Sequence, residues 1–173
     1  MGETVIQVSS LGKRIKGKTI LEDISFEINK GDCVALIGPN GAGKTVLMSC
    51  ILGDKKPSSG QVLIDGKAGK AKNKIAVLLQ ENTIPNSLKV EELIAFFQSI
   101  SDNPLTNQEV QELLQFKEDQ YQQFADKLSG GQRRLLAFVL CLIDKPKILF
   151  LDEPTAGMDT STRQRFWEIV NDL

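Results

Sequence analysis

Three clusters in this chain have the residue types and spacing for phosphate chemistry. The first, Gly38-Pro39-Asn40-Gly41-Ala42-Gly43-Lys44-Thr45, fits the pattern G-x-x-x-x-G-K-[ST]. Its glycines let backbone N–H groups close around phosphate oxygens, and Asn40, Gly41, Ala42 and Gly43 supply that backbone. Lys44 is spaced to reach the β- and γ-phosphates of a nucleotide, and the Thr45 hydroxyl to ligate Mg²⁺. The second cluster, Asp152-Glu153, ends the apolar run Ile148-Leu149-Phe150-Leu151. Phosphoryl transfer needs a metal to spread charge and a carboxylate to position the nucleophile, and two acids leaving a strand suit both tasks. Alone, they could equally cap the turn at Pro154. The third cluster, Leu128-Ser129-Gly130-Gly131-Gln132, offers a hydroxyl and bare N–H groups at the head of a helix, which suits an anion.

Each cluster needs an element to hold it. Cys33 to Ile37 is a continuous apolar run, as expected of a strand buried on both faces, and it feeds the glycine loop. A helix from about Lys44 to Leu52 follows and points its positive end at the loop. Thr4 to Val8 and Ser25 to Ile28 read as strands before the turn Asn29-Lys30-Gly31-Asp32, with two more at Gln61 to Ile64 and Lys74 to Leu79. Pro85 and Asn86 break the chain. Val90 to Ile100 then carries apolar residues at helical spacing, and Thr106-Asn107-Gln108-Glu109 is a capping-box pattern opening a helix through Phe116. Asp119 to Lys127 reads as helical or irregular. Gln132 to Ile143 is a helix headed by the glycine pair, Lys147 to Leu151 a strand, and Thr160 to Leu173 an amphipathic helix. The pattern is an α/β parallel core interrupted by a helical insertion at about Glu81 to Ser129.

Composition limits the alternatives. The 173 residues, 41% apolar and 25% charged, suit one globular domain. Twenty-one basic against twenty-two acidic residues leave a net charge of -1, which gives no reason to expect nucleic acid as a partner. Lys67, Lys70, Lys72 and Lys74 form a short basic cluster, read as a solvated loop in preference to a nucleic-acid patch. Cys33, Cys50 and Cys141 are odd in number, unpaired and set in apolar contexts, so they read as small core residues of a reducing compartment. Met1-Gly2-Glu3-Thr4 runs directly into a strand without a signal peptide. The longest apolar run, Leu135 to Ile143, falls far short of the roughly 20 residues that cross a bilayer.

The order of the three clusters resembles the ATP-binding subunits of ABC (ATP-binding cassette) transporters along the whole chain. The resemblance implies a P-loop NTPase (RecA-like) core with an antiparallel β subdomain at the N-terminus and a small inserted α-helical subdomain. It implies one incomplete domain over 1–173, with core and β subdomain at about 1–80 and 130–173 and helical subdomain at about 81–129. ATP and Mg²⁺ are the implied cofactors. By the same resemblance, Asp152 is expected to orient Mg²⁺ through its water shell and Glu153 to polarise the attacking water. Ser129, Gly130, Gly131 and Gln132 are expected to contact the γ-phosphate held by a second ATP-binding subunit in a head-to-tail dimer. Gln80 matches a glutamine that senses Mg²⁺ and couples the core to the membrane partner; without the resemblance it is an ordinary polar residue after a strand. Asp159, in Ala156-Gly157-Met158-Asp159, matches an aspartate that communicates across the dimer. The implied function is to power an integral-membrane permease from the cytoplasmic face of the membrane. The short insertion and Arg133-Arg134 look most like subunits paired with separate exporter permeases. The alternatives are a soluble ABC-type ATPase acting on DNA or ribosomes, or a nucleotide-binding fragment without turnover.

Three positions depart from the family pattern. Ile15 stands where an aromatic ring usually stacks on adenine. Val46 stands where a second hydroxyl residue is usual near the α-phosphate, leaving only its backbone N–H to donate. The family's switch histidine falls on a strand after the helix Thr160 to Leu173, and the sequence contains no histidine. The chain is therefore expected to be a truncated domain, with that histidine beyond Leu173.

Overall fold

Alternation along the first strand builds one side of the fold. β1 (Thr4–Ile15) turns Ile6 and Val8 inward, then carries register shifts between Val8 and Leu11, where Ser10 has a φ of 46°. This bulge moves the inward face from even to odd positions, so that Leu11 is buried beside Ile6 and Val8. β1 continues seven residues past the expected end at Val8 and turns at Lys16-Gly17 into β2 (Lys18–Asn29). Both turn residues have positive φ, 49° and 79°, the condition for the tight hairpin whose twist matches the strands.

The computed structural model describes residues 2–68, 75–80, 84–85 and 87–173. It divides into two compact units, Met1–Lys72 and Asn73–Leu173. In the first, β3 (Ser59–Ile64) and β4 (Lys67–Ala68) complete an antiparallel sheet of order β2-β1-β3-β4. Helix α1 (Lys44–Ile51) buries Leu47, Cys50 and Ile51. This is the expected antiparallel β subdomain.

One expectation fails in this unit. Cys33 to Ile37 forms no strand: Val34 is 60% exposed and Ile37 90%. An apolar run becomes a strand only when a neighbour supplies ladder hydrogen bonds, and no strand of this sheet pairs with it. Cys33 is accordingly exposed, against its reading as a core residue, while Cys50 is buried and Cys141 half-buried. Lys67 lies exposed in β4, and Lys70, Lys72 and Lys74 fall outside the described residues, as do Glu81 and Asn86.

The second unit contains a parallel pair, β5 (Ile75–Leu78) and β6 (Ile148–Leu151), registered from Ile75 opposite Ile148 to Leu78 opposite Leu151. Between them the chain forms helices: α2 (Val90–Ser99), α3 (Asn107–Leu114), α4 (Glu118–Gln122), a 3-10 turn (Ala125–Lys127) and α5 (Gly130–Leu142). α6 (Thr160–Asp172) follows β6. The Thr106 box forms as expected, with Glu109 N donating to Thr106 Oγ1 at 3.2 Å and Thr106 N to Glu109 Oε2 at 2.6 Å. α3 stops two residues short of Phe116 because Gln115 turns left-handed, φ 51°.

Helix α5 organises the core of this unit, burying Leu135, Leu136, Phe138, Val139 and Leu142 together with Leu78, Val90, Leu93, Val110 and Phe166. The Phe138 and Phe166 rings lie 4.4 Å apart between centroids, tying α5 to α6. Burying such side chains contributes about 1.5–3 kcal/mol each. Truncating Phe138 to Ala removes one of the largest and costs about 3–5 kcal/mol.

Candidate functional site

In the first unit, Gly38 to Thr45 runs into α1. Gly41 and Gly43 have φ of 81° and 92°, where L side chains are strained. At Gly43 the demand is also steric, since an added Cβ would lie 3.0 Å from Leu21 Cδ2 and 3.2 Å from Ile20 Cγ2. The start of α1 thus rests directly on β2. Ala42 N donates to Pro39 O at 3.2 Å and closes the loop turn. Gly43 caps α1 with no side-chain hydrogen bond, and no acid lies in the first turn. The helix therefore keeps its positive end and its orphan N–H groups for a partner from outside.

Lys44 Nζ donates to Gly38 O at 2.7 Å and Pro39 O at 3.0 Å, so its ammonium lies back over the loop. Asn40 and Thr45 are exposed and Val46 is half-buried. Ile15 is the half-buried last residue of β1, opposite Lys18 at the hairpin end.

In the second unit the parallel strands deliver their loops side by side. Asp152 N donates to Leu78 O at 2.9 Å, extending the ladder by one bond past β6. Gln80 Nε2 then donates to Glu153 Oε2 at 3.1 Å. Glu153 holds a φ of 45°, a left-handed conformation costing a non-glycine residue on the order of 1 kcal/mol or more. The two residues read separately from the sequence therefore form one pair.

The glycine pair differs from expectation by two residues. α5 starts at Gly130, not Gln132, so both glycines lie inside its first turn, with Ser129 as N-cap. Gln132 N donates to Ser129 Oγ at 3.2 Å and Ser129 N to Gln132 Oε1 at 3.1 Å. The Ser129 hydroxyl accepts in this box and keeps its own proton to donate. Gly131 is a close approach: an added Cβ would lie 3.2 Å from both Asp159 Oδ2 and Met158 Cα. The start of α5 and the Asp159 segment thus pack backbone to backbone.

Asp159 caps α6 through Thr162 N at 2.9 Å, Ser161 Oγ at 2.7 Å and Thr162 Oγ1 at 2.8 Å. These hydrogen bonds, Ser161's first, hold its carboxyl far below the ordinary range.

The sequence reading missed the part of Arg134. It is the only buried polar or charged side chain among the described residues, 8% exposed, and it donates to backbone carbonyls of both loops, Gln80 O after β5 and Asp152 O after β6. Burial pulls its pKa down, with Asp152 first among the charges that oppose the shift. The available signal was only its place as the second half of the basic pair Arg133-Arg134, next to the apolar run from Leu135.

Among the described residues, no group of three or more His, Cys, Asp or Glu is arranged to cage a metal, and no helix is long and apolar enough to cross a membrane.

Comparison with known proteins adds to this geometry. The family model described as ABC transporter matches residues 21–156. The chain is 36% identical over 164 residues to the spermidine/putrescine import ATP-binding protein PotA of Protochlamydia amoebophila, covering 90% of this chain and 44% of that protein. It is 33% identical over 180 residues to the Nod factor export ATP-binding protein I of Ralstonia nicotianae, covering 98% and 56%. The chain thus spans about half the length of these two relatives. A solved structure described as an ATP binding subunit of an ABC transporter superposes with a TM-score of 0.81 at 26% identity, covering 98% of this chain and 74% of that one. The fold is that of an ABC ATPase domain.

Proposed function

This chain belongs to the ABC transporter family, and from that premise we propose that it binds MgATP and acts as the ATP-hydrolysing subunit that powers an integral-membrane permease. The observation that carries the reading furthest is the Gln80–Glu153 contact at the carboxyl ends of two parallel strands, where α/β sheets bind their ligands.

Each unit contributes its own part. In the first, Asn40, Gly41, Ala42, Gly43, Lys44, Thr45 and the Val46 N–H bind the phosphates, and Ile15 gives the base an apolar contact. The uncapped start of α1 and the Lys44 ammonium fit an anion with several oxygens. In the second, Glu153 accepts a proton from water while Gln80 holds the other side of that carboxylate. Thr45 in the first unit, and Gln80 and Asp152 in the second, each offer an oxygen of the hard kind that suits Mg²⁺ and its water shell. When bound, Mg²⁺ spreads the charge that develops on the phosphoryl group. Ser129, Gly130, Gly131 and Gln132 serve the nucleotide of a second ATP-binding subunit, with Asp159 packed against Gly131 as the link.

A head-to-tail dimer and attachment to the cytoplasmic face of the membrane through the permease belong to the same proposal. The relatives named for import and export favour it over a soluble ATPase acting on DNA or ribosomes, or a fragment that binds without turnover. Titration with a fluorescent ATP analogue, with and without Mg²⁺, tests the first step. Absence of binding at millimolar nucleotide would sink the reading. Recovery of a membrane-spanning partner on affinity purification from membranes tests the last.

A further inference from the structure

A guanidinium carries five N–H donors in a fixed fork. Arg134 has a backbone carbonyl for every one of them. Its Nε donates to Pro154 O at 3.2 Å. Nη1 donates to Leu79 O and to Gln80 O, the latter at 3.2 Å. Nη2 donates to Asp152 O at 2.8 Å and Glu153 O at 3.2 Å. The five acceptors come from only two segments, the residues just past β5 and those just past β6.

A charge in this place needs a reason. Burying an ion is costly unless it is paired, and an apolar side chain of similar volume would satisfy the packing of α5 with less penalty. The donors of Arg134 go to carbonyl dipoles and leave the carboxylates of Asp152 and Glu153 available for other partners. What the fork gains is geometry, because two bonds to one Nη2 fix successive peptides across the left-handed Glu153. On the other loop, two bonds to Nη1 fix the peptides on either side of the Gln80 Cα.

We infer that Arg134 is a positioning residue for hydrolysis, holding the loops after β5 and β6 in the one register that keeps Gln80 and Glu153 paired. This rests on reading those two residues as the polar pair at the reacting water. Arg134 is the fifth residue of α5, the helix headed by Ser129, Gly130 and Gly131. A shift of that helix therefore moves the fork, which links Ser129, Gly130 and Gly131 mechanically to Glu153 within one unit.

The test compares the complete protein with Arg134→Lys and Arg134→Met. Lysine keeps the charge but has three donors at a single point, and methionine keeps the stem with none. MgATP affinity is read with a fluorescent ATP analogue, kcat as phosphate release at saturating MgATP, and the Gln80 side-chain amide by ¹⁵N NMR. For Arg134→Lys, kcat is expected to fall by about tenfold or more, as displaced catalytic groups do. Affinity should stay within about threefold, since the lost interaction belongs to the chemical step. The Gln80 amide signal should move toward that of a solvated amide, and Arg134→Met should fall at least as far in kcat.

An Arg134→Lys kcat within about twofold of wild type overturns the inference, as does an affinity that falls in step with kcat. Unfolding of both variants also overturns it, by making Arg134 a residue of the fold alone. Wild-type protein that fails to bind MgATP would remove the functional reading instead. The Gln80 amide remains a separate measure, and an unchanged signal in Arg134→Lys overturns the positioning role whatever the activity.

Discussion

Gln80 Nε2 and Glu153 Oε2 lie 3.1 Å apart, joining residues that are 73 positions apart in sequence. The contact engages Glu153 Oε2, and in the proposed function Glu153 is the base that activates water. Glu153→Gln preserves shape and removes the basic oxygen. MgATP affinity should change by less than about threefold while phosphate release falls by about 100-fold or more, the usual weight of a general base. Sedimentation with MgATP should then show an accumulated ATP-bound dimer. A variant as active as wild type would remove Glu153 from water activation.

Lys44 is held by two loop carbonyls, at 2.7 and 3.0 Å, on the loop that would surround the phosphates. Lys44→Ala deletes the loop's cation. Hydrogen bonds to a charged group are worth about 1.5–3 kcal/mol, so affinity for MgATP should fall by about 10- to 100-fold. Titration of both proteins with a fluorescent ATP analogue measures it, and equal affinities would exclude Lys44 from the site.

Ile15 ends β1 half-buried, beside the Lys16-Gly17 turn. Ile15→Tyr adds a stacking surface worth about 1 kcal/mol, so ATP and GTP should both bind about fivefold more tightly. Wild-type protein should discriminate little between the two. A strong native preference for ATP would mean that another residue reads the base.

What the sequence made legible was mostly local. Thr106 and Glu109 form their box because that pattern closes within four residues, and Ile148 to Leu151 pairs as a half-buried parallel strand. The same logic was available but unused at Ser129 and Gln132, where glycine's poor helix propensity obscured an S-x-x-Q box and displaced the start of α5. Lys16-Gly17 likewise carried a turn signal inside what is one long hairpin. Cys33 to Ile37 misled for a different reason: apolarity favours burial, but a strand exists only with a ladder partner that its own residues do not encode. Arg134 was legible only as the second half of a basic pair. Its acceptors lie about 20 and 55 residues away, so its part is a property of tertiary structure.

Asp159 offers a test in which pH reports on the α6 cap. Its carboxylate accepts from Ser161 Oγ, Thr162 N and Thr162 Oγ1, and these bonds lower its folded pKa below the unfolded value of about 3.9. A depressed acid contributes stability that is fully present above the unfolded pKa and is lost as pH falls through the folded one. At pH 7, Asp159→Ala should lower the melting midpoint by roughly 2–4 °C, the scale of a lost N-cap in a chain of this size. The gap between wild type and variant should stay constant down to about pH 5 and narrow steadily below about pH 4. Thermal unfolding followed by circular dichroism at pH 7, 5 and 3 gives both curves. The wild-type midpoint should fall more steeply with acid than that of Asp159→Ala. A gap at pH 3 as wide as at pH 7 would show that the cap owes nothing to the charge on Asp159.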